Sequence, residues 1–158
     1  MGSSGVEDCR RIEQLVAGEQ LDLLICLLQT KTGKRQVKTY IRSNKRNETP
    51  IHYAINHGQT TVAQLLCSFC QQSKYRFMVH HKDFRGETPL HRCAWCGEGD
   101  VARVLLDLGA KVDERNERGL VALHLAAERG NIPVMRLLIQ KGANVNITSK
   151  LGNTPLHR

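Results

Sequence analysis

Apolar positions along this chain fall into short blocks with helical spacing, separated by polar turns. Val134, Leu137 and Leu138 show the pattern, one apolar stripe over two turns, and Leu-Leu pairs recur at Leu65-Leu66 and Leu105-Leu106. Ahead of each pair lies a second short block opening on Thr49-Pro50-Ile51-His52, Thr88-Pro89-Leu90-His91 or Val121-Ala122-Leu123-His124 and closing, six residues after the histidine, on Gly58, Gly97 or Gly130. Thr before Pro predicts a helix start, because the hydroxyl can cap free amides and proline is preset for the first turn. The glycine predicts the end of that helix. Each unit therefore reads as two antiparallel helices. A fourth start, Thr154-Pro155-Leu156-His157, stands at the end of the sequence.

The histidines are spaced 39, 33 and 33 residues apart. The stretches Leu108-Gly109-Ala110-Lys111-Val112-Asp113 and Lys141-Gly142-Ala143-Asn144-Val145-Asn146 complete two of the units. A unit of this size cannot bury its apolar face alone, so the pattern must recur and stack. Working backward, Ile12, Leu15, Val16, Leu21, Leu23 and Leu27 match the apolar positions of an N-terminal unit without the entry motif.

Residues 10 to 158 in this way resemble the ankyrin repeat. The resemblance implies an all-α solenoid of stacked helix-turn-helix units with β-like finger loops, about four repeats plus the start of another. The expected boundaries are a leader at 1–5 and a single domain at 6–158, with units near 6–41, 42–80, 81–113 and 114–146 and a partial unit at 147–158. Chain beyond Arg158 is expected in the native protein. Two departures stand out: Val121-Ala122 replaces Thr-Pro, and Asn47 takes the place of the glycine before the entry motif, where a left-handed residue is expected. The 39-residue spacing implies about six extra residues in the second unit, and a like addition is expected in the first.

Charge sharpens this picture. The formal net charge is +8, and the excess sits in two segments. Residues 29 to 47 hold Lys31, Lys34, Arg35, Lys38, Arg42, Lys45 and Arg46 without an acid, and residues 71 to 85 add Lys74, Arg76, Lys82 and Arg85 against Asp83. Within the first, Val37, Thr39 and Ile41 alternate with Lys38, Tyr40 and Arg42, the spacing of a strand that would put the latter three on one side. Aromatic residues are only 4% of the chain, so the interior must be aliphatic and small.

The family's ligands usually lie on the concave face formed by finger tips and the exposed ends of the first helices. The resemblance carries that role to Lys45, Arg46, His57, Lys82, Phe84, Arg85, Trp95, Arg115, Arg118, Glu128 and Arg129. Basic residues around Phe84 and Trp95 suit an acidic, partly apolar protein or peptide, with Trp95, Arg85 and Phe84 as leading anchors. A rival site lies in the inserted basic segments, at Lys34, Arg35, Lys38, Tyr40, Arg42, Lys74, Tyr75 and Arg76, where cations beside tyrosines could hold nucleic acid or anionic lipid. A third reading is a regulatory or targeting segment of a larger enzyme or channel.

Cys67/Cys70 and Cys93/Cys96 form two close pairs with zinc-like spacing, but the repeat register sends them to opposite ends of neighbouring helices. Structural thiols are the expectation, with no metal and no cofactor. Six cysteines in a chain able to build a core suggest a reducing, intracellular compartment. The four histidines recur once per unit and read as structural, and no nucleophile and base stand at a usable spacing, so no enzyme is expected.

Overall fold

The computed structural model describes residues 3–18 and 20–157, with side chains from Arg10 onward except Glu19. Among the described residues there are ten α-helices and one 3₁₀ turn, and eight of the helices with the turn form two rows. The first-helix row contains α1 (Ser3–Ala17), α4 (Pro50–Asn56), α7 (Pro89–Cys96), α9 (Ala122–Arg129) and the turn Pro155–His157; the second contains α2 (Leu21–Gln29), α5 (Thr60–Phe69), α8 (Gly99–Asp107) and α10 (Ile132–Gln140). Each member of the first row packs on the next, and α5, α8 and α10 pack in sequence behind them. The two additional helices, α3 (Gly33–Ser43) and α6 (Phe77–His80), belong to the inserted segments. Helix α1 starts at Ser3, so part of the expected leader is helical; Met1, Gly2 and Arg158 lie outside the described residues.

The core is aliphatic, as the low aromatic content requires. Small residues Ala54, Ala63, Ala94, Ala102 and Ala126 are fully buried and let neighbouring helices approach closely. Val62, Leu66, Leu90, Leu105, Leu123, Val134 and Leu138 fill the remaining space. In the N-terminal unit Leu24, Leu27 and Leu28 face inward, whereas Leu23 is 57% exposed, a one-residue correction to the expected register of α2.

The histidines join one unit to the next. In His52, Nε2 lies 3.0 Å from the Glu87 carbonyl. A carbonyl only accepts, so Nε2 carries the proton and Nδ1 is left to accept the Thr49 amide N–H at 3.2 Å. His91 repeats the arrangement with Leu120 at 3.1 Å and Thr88 at 3.2 Å, and His124 with Asn153 at 2.9 Å and Val121 at 3.3 Å. Helix α9 thus keeps the histidine half of its cap although Val121 has no hydroxyl. Burial pushes His52 down to about 3 and also lowers His91, so both rings are neutral at ordinary pH.

Two readings of the inserts change. The segment Arg35 to Arg42 is not a strand: α3 buries Gly33, Val37, Tyr40 and Ile41, chiefly against α1. Positions 37, 40 and 41 satisfy helical spacing as well as positions 37, 39 and 41 satisfy alternation, and packing against α1 decides between them. In the second insert Tyr75 is buried, not displayed. Helix α2 makes no extensive contact with α5, and Tyr75 fills that gap: its ring meets Phe69 edge-on at 6.2 Å and its hydroxyl donates to the Leu28 carbonyl at 2.7 Å.

Candidate recognition face of the finger loops

Between the second helix of one unit and the first helix of the next, the chain turns outward in a finger. A short polar side chain organises each finger from within. Asp83 Oδ1 accepts the amides of Arg85 (2.8 Å) and Glu87 (2.9 Å), and Asn116 Oδ1 those of Arg118 (2.9 Å) and Leu120 (3.0 Å). Ser149 Oγ takes the amides of Leu151 and Asn153, each at 3.3 Å, and Asn44 Oδ1 that of Glu48 at 2.9 Å. These are side-chain turns that preset the backbone. Asn44, Asp83, Asn116 and Ser149 each stand eight residues before a repeat histidine, a signal present in the sequence but missed when only the Thr-Pro-Leu-His motif is aligned.

Successive fingers are tied together through their backbones. The amides of Phe84, Glu117 and Lys150 donate to the carbonyls of Arg46, Arg85 and Arg118 at 2.9, 3.1 and 3.1 Å. The adjoining residue must be left-handed: Gly86 and Gly119 have φ of +71° and +72°, and a Cβ on either would come within 2.9 or 2.8 Å of the next finger's backbone nitrogen. Asn47 fills the equivalent place with φ +52°, as its residue type predicts, and its side-chain amide donates to the Lys82 carbonyl at 2.9 Å. The fingers therefore form a fixed edge, although no strand is assigned among the described residues.

Beneath that edge runs a polar network across three units. Asn56 Nδ2 donates to Glu48 at 3.0 Å, Arg92 Nε to Asn56 at 2.6 Å, Arg92 also to Glu87 Oε2 at 3.1 Å, and Asn116 Nδ2 to Glu87 Oε1 at 3.4 Å. Burial raises Glu48, with Arg46 acting against it, and raises Asp83 against the two amides it accepts. The sequence marks Asn56 only as an exposed first-helix position and gives no sign of Glu87 or Arg92 or of their meeting with Glu48; single charged residues do not show that they will meet across repeats.

The expected binding residues divide into three groups. Arg46, His57, Phe84 and Arg85 come together around a groove of about 300 Å³ that Glu48, Asn56, Asp83 and Arg92 also line. Phe84 is 50% exposed, with the Arg85 guanidinium 5.1 Å from its ring. Lys45 lines a neighbouring groove with Tyr53 and Glu13. Arg118 and Glu117 line the next groove along with Arg85, and Arg118 also borders an apolar cleft made by Leu120 and Leu151, the latter 81% exposed.

Lys82 and Arg115 are engaged within the edge. Lys82 pairs with Glu114 at 2.6 Å and donates to the Arg115 carbonyl at 2.9 Å, while Arg115 donates to the Thr148 carbonyl at 2.6 Å and the Gly119 carbonyl at 3.0 Å. Trp95 is half-buried under the Arg129 guanidinium, 4.7 Å from its ring, and Glu128 is exposed on the same helix end as Arg129.

The rival basic site separates into two places. Lys34, Arg35, Lys38 and Arg42 ride on α3, with Tyr40 buried beneath them. Lys74 Nζ and Tyr75 both donate to the Leu28 carbonyl, and Arg76 reaches the Leu108 carbonyl at 3.4 Å, so the second insert caps the ends of α2 and α8. Neither tyrosine offers a face on which a base could stack.

Among the described residues no group of three or more His, Cys, Asp and Glu is placed to hold a metal ion. Cys67, Cys70 and Cys93 are buried and Cys96 is exposed. Burial pushes the Cys67 and Cys70 thiols up to about 12 and Cys93 well above its ordinary value, the condition of thiols embedded in apolar surroundings. No described helix is long and apolar enough to cross a membrane.

A family model of ankyrin repeats in three copies matches residues 14–116 and 108–158. The chain belongs to the ankyrin-repeat family. Among curated proteins this ankyrin module is similar to protein phosphatase 1 regulatory subunit 27 from Homo sapiens, 33% identical over 90 residues, which covers 52% of the present chain and 54% of the relative. The protein of the same name from Mus musculus is 34% identical over the same length and shares. The chain spans about half the length of these relatives.

Proposed function

We propose that this ankyrin module is a non-catalytic scaffold that holds an acidic, partly apolar protein or peptide on its finger edge and the adjoining ends of the first helices. The observation that carries the reading is the groove that Arg46, Arg85, Arg92 and His57 line together with the half-exposed Phe84, three arginines against the two acids also present there, Glu48 and Asp83. A carboxylate-bearing segment gains charge-assisted hydrogen bonds from the arginines and apolar contact with the ring, a combination common at interface hot spots. The fixed fingers mean that little ordering accompanies binding, which favours affinity. Arg118, Leu120 and Leu151 extend the path toward the C-terminal end. An intracellular location belongs to the same proposal.

The similarity to a protein named as a regulatory subunit supports a second form of this reading, in which the module targets or regulates an enzyme carried by another chain or another part of its own. Affinity capture with the intact module, followed by mass spectrometry, tests both. Loss of the captured protein on Phe84→Ala with Arg85→Glu is expected, while the chain keeps its helical circular dichroism. Undiminished capture by that variant and by Trp95→Ala with Arg118→Ala would remove the finger edge as the binding face.

A further inference from the structure

The outer side of α3 carries a cationic stripe that, apart from Lys38 5.8 Å from the Phe77 ring, makes no ion pair or ring contact among the described residues. Arg35, Lys38 and Arg42 follow at spacings of three and four residues and are all exposed, and Lys31 continues the spacing in the preceding turn. Lys34 flanks them. Among the described residues none of these five forms an ion pair.

The arrangement is electrostatically unfavourable for the isolated protein. Arg35 with Lys38, and Lys38 with Arg42, are like-charge neighbours on the helix surface. Lys34 and Arg35 also occupy the first turn of α3, where the helix end is positive and no acid is present. Helix α3 needs only Val37, Tyr40 and Ile41 to dock on its neighbours, so packing does not explain the cations.

Three features select the partner. Tyr40 and Tyr75, the tyrosines of the basic segments, are buried and Phe77 is half-buried with Lys38 5.8 Å from its ring, so stacking on single-stranded nucleic acid has no platform beside the stripe. The apolar side of α3 is turned into the core, so the helix has nothing to insert into a bilayer. Spacings of three and four are those of residues along one seam of a helix packed lengthwise on another. We propose that the stripe docks an acidic α-helix of another protein, with carboxylates at matching three- and four-residue intervals facing Arg35, Lys38 and Arg42. This surface lies on α3 rather than on the finger edge and stands independently of the site proposed above.

The test measures binding of three fluorescent probes to the whole chain at one ionic strength. They are an alanine-based helical peptide with glutamates at three- and four-residue intervals along one seam, a peptide of the same composition with the glutamates distributed around the helix, and a 30-base-pair DNA duplex. Vesicles containing phosphatidylserine form a fourth arm. The seam peptide is expected to bind about tenfold tighter than its redistributed counterpart. Arg35→Glu with Lys38→Glu should abolish that preference, and Phe84→Ala with Arg85→Glu should leave it unchanged. Equal binding of both peptides, tighter binding of duplex or vesicles, or an unaffected charge-reversed variant would each overturn the proposal. If the reversed variant loses its cooperative melt, Arg35→Gln with Lys38→Gln and Arg42→Gln serves the same comparison.

Discussion

The two inserted basic segments have similar compositions and opposite fates. Residues 71–77 place Lys74, Tyr75 and Arg76 beside the exposed carbonyl ends of α2 and α8, and all three donate into them. On α3, Lys34, Arg35, Lys38 and Arg42 have no acid to pair with among the described residues. A cation near a helix C-terminus completes the fold, whereas a cation in a first turn works against it. Local composition therefore says little about which basic segment is available to a partner. For Lys34 and Arg35 what decides is that they meet a helix start, whereas Arg42 lies in the last turn of α3, where the helix end favours a cation.

The largest way to sharpen this contrast is to empty the space Tyr75 fills. Tyr75→Ala removes a buried ring and its bond to Leu28, with an expected loss of about 3–5 kcal/mol in urea unfolding. A loss below about 1 kcal/mol would mean that the second insert is dispensable and that the two segments are alike.

Acid tests the histidine seam. His52 and His91 are held neutral by burial, while the imidazoles of the unfolded chain protonate near 6.5. Folded values below unfolded ones mean that the unfolded state binds more protons as pH falls. Stability should then decline below pH 6.5, at up to about 1.4 kcal/mol per pH unit for each of the two histidines, continuing toward about 3 for His52. Glu48 and Asp83, raised by burial, oppose this decline as they take up protons in the folded chain, so the window just below 6.5 is where the histidines act first. A flat chemical-denaturation profile across that window would contradict the neutral seam.

A finer test keeps the ring and removes only the hydroxyl. Tyr75→Phe should cost about 1 kcal/mol, because the Leu28 carbonyl retains Lys74. Smallest of all, Arg35→Ala or Lys38→Ala should change stability by no more than about 0.5 kcal/mol, and relief of like-charge repulsion favours a gain. A clear destabilisation would show that the α3 cations are structural after all, and the comparison would fail.

Much of this is legible in the amino-acid sequence. The periodic Leu-Leu pairs and the motif around His52, His91 and His124 led to paired helices in register, and the left-handed turn at Asn47 followed from residue type. The strand expected at Arg35–Arg42 did not follow, because Val37 and Ile41 fit both periods. Leu23 was placed inward and Leu24 is, since neighbouring leucines in an apolar run do not mark which one faces the stack. Of the expected recognition residues, Arg46, His57, Phe84 and Arg85 share one groove, whereas Lys82 and Arg115 are held by the fingers' own carbonyls.

By itself the sequence determined the repeating element and its helix starts and stops, because each depends on residues close to one another along the chain. Only the tertiary structure decided which cations are consumed, which tyrosines are buried, and that Glu48, Asn56, Arg92, Glu87 and Asn116 join into one network. Those outcomes depend on which carbonyls and carboxylates the stacking of different units brings within hydrogen-bonding distance, and a linear order of residues does not contain that distance.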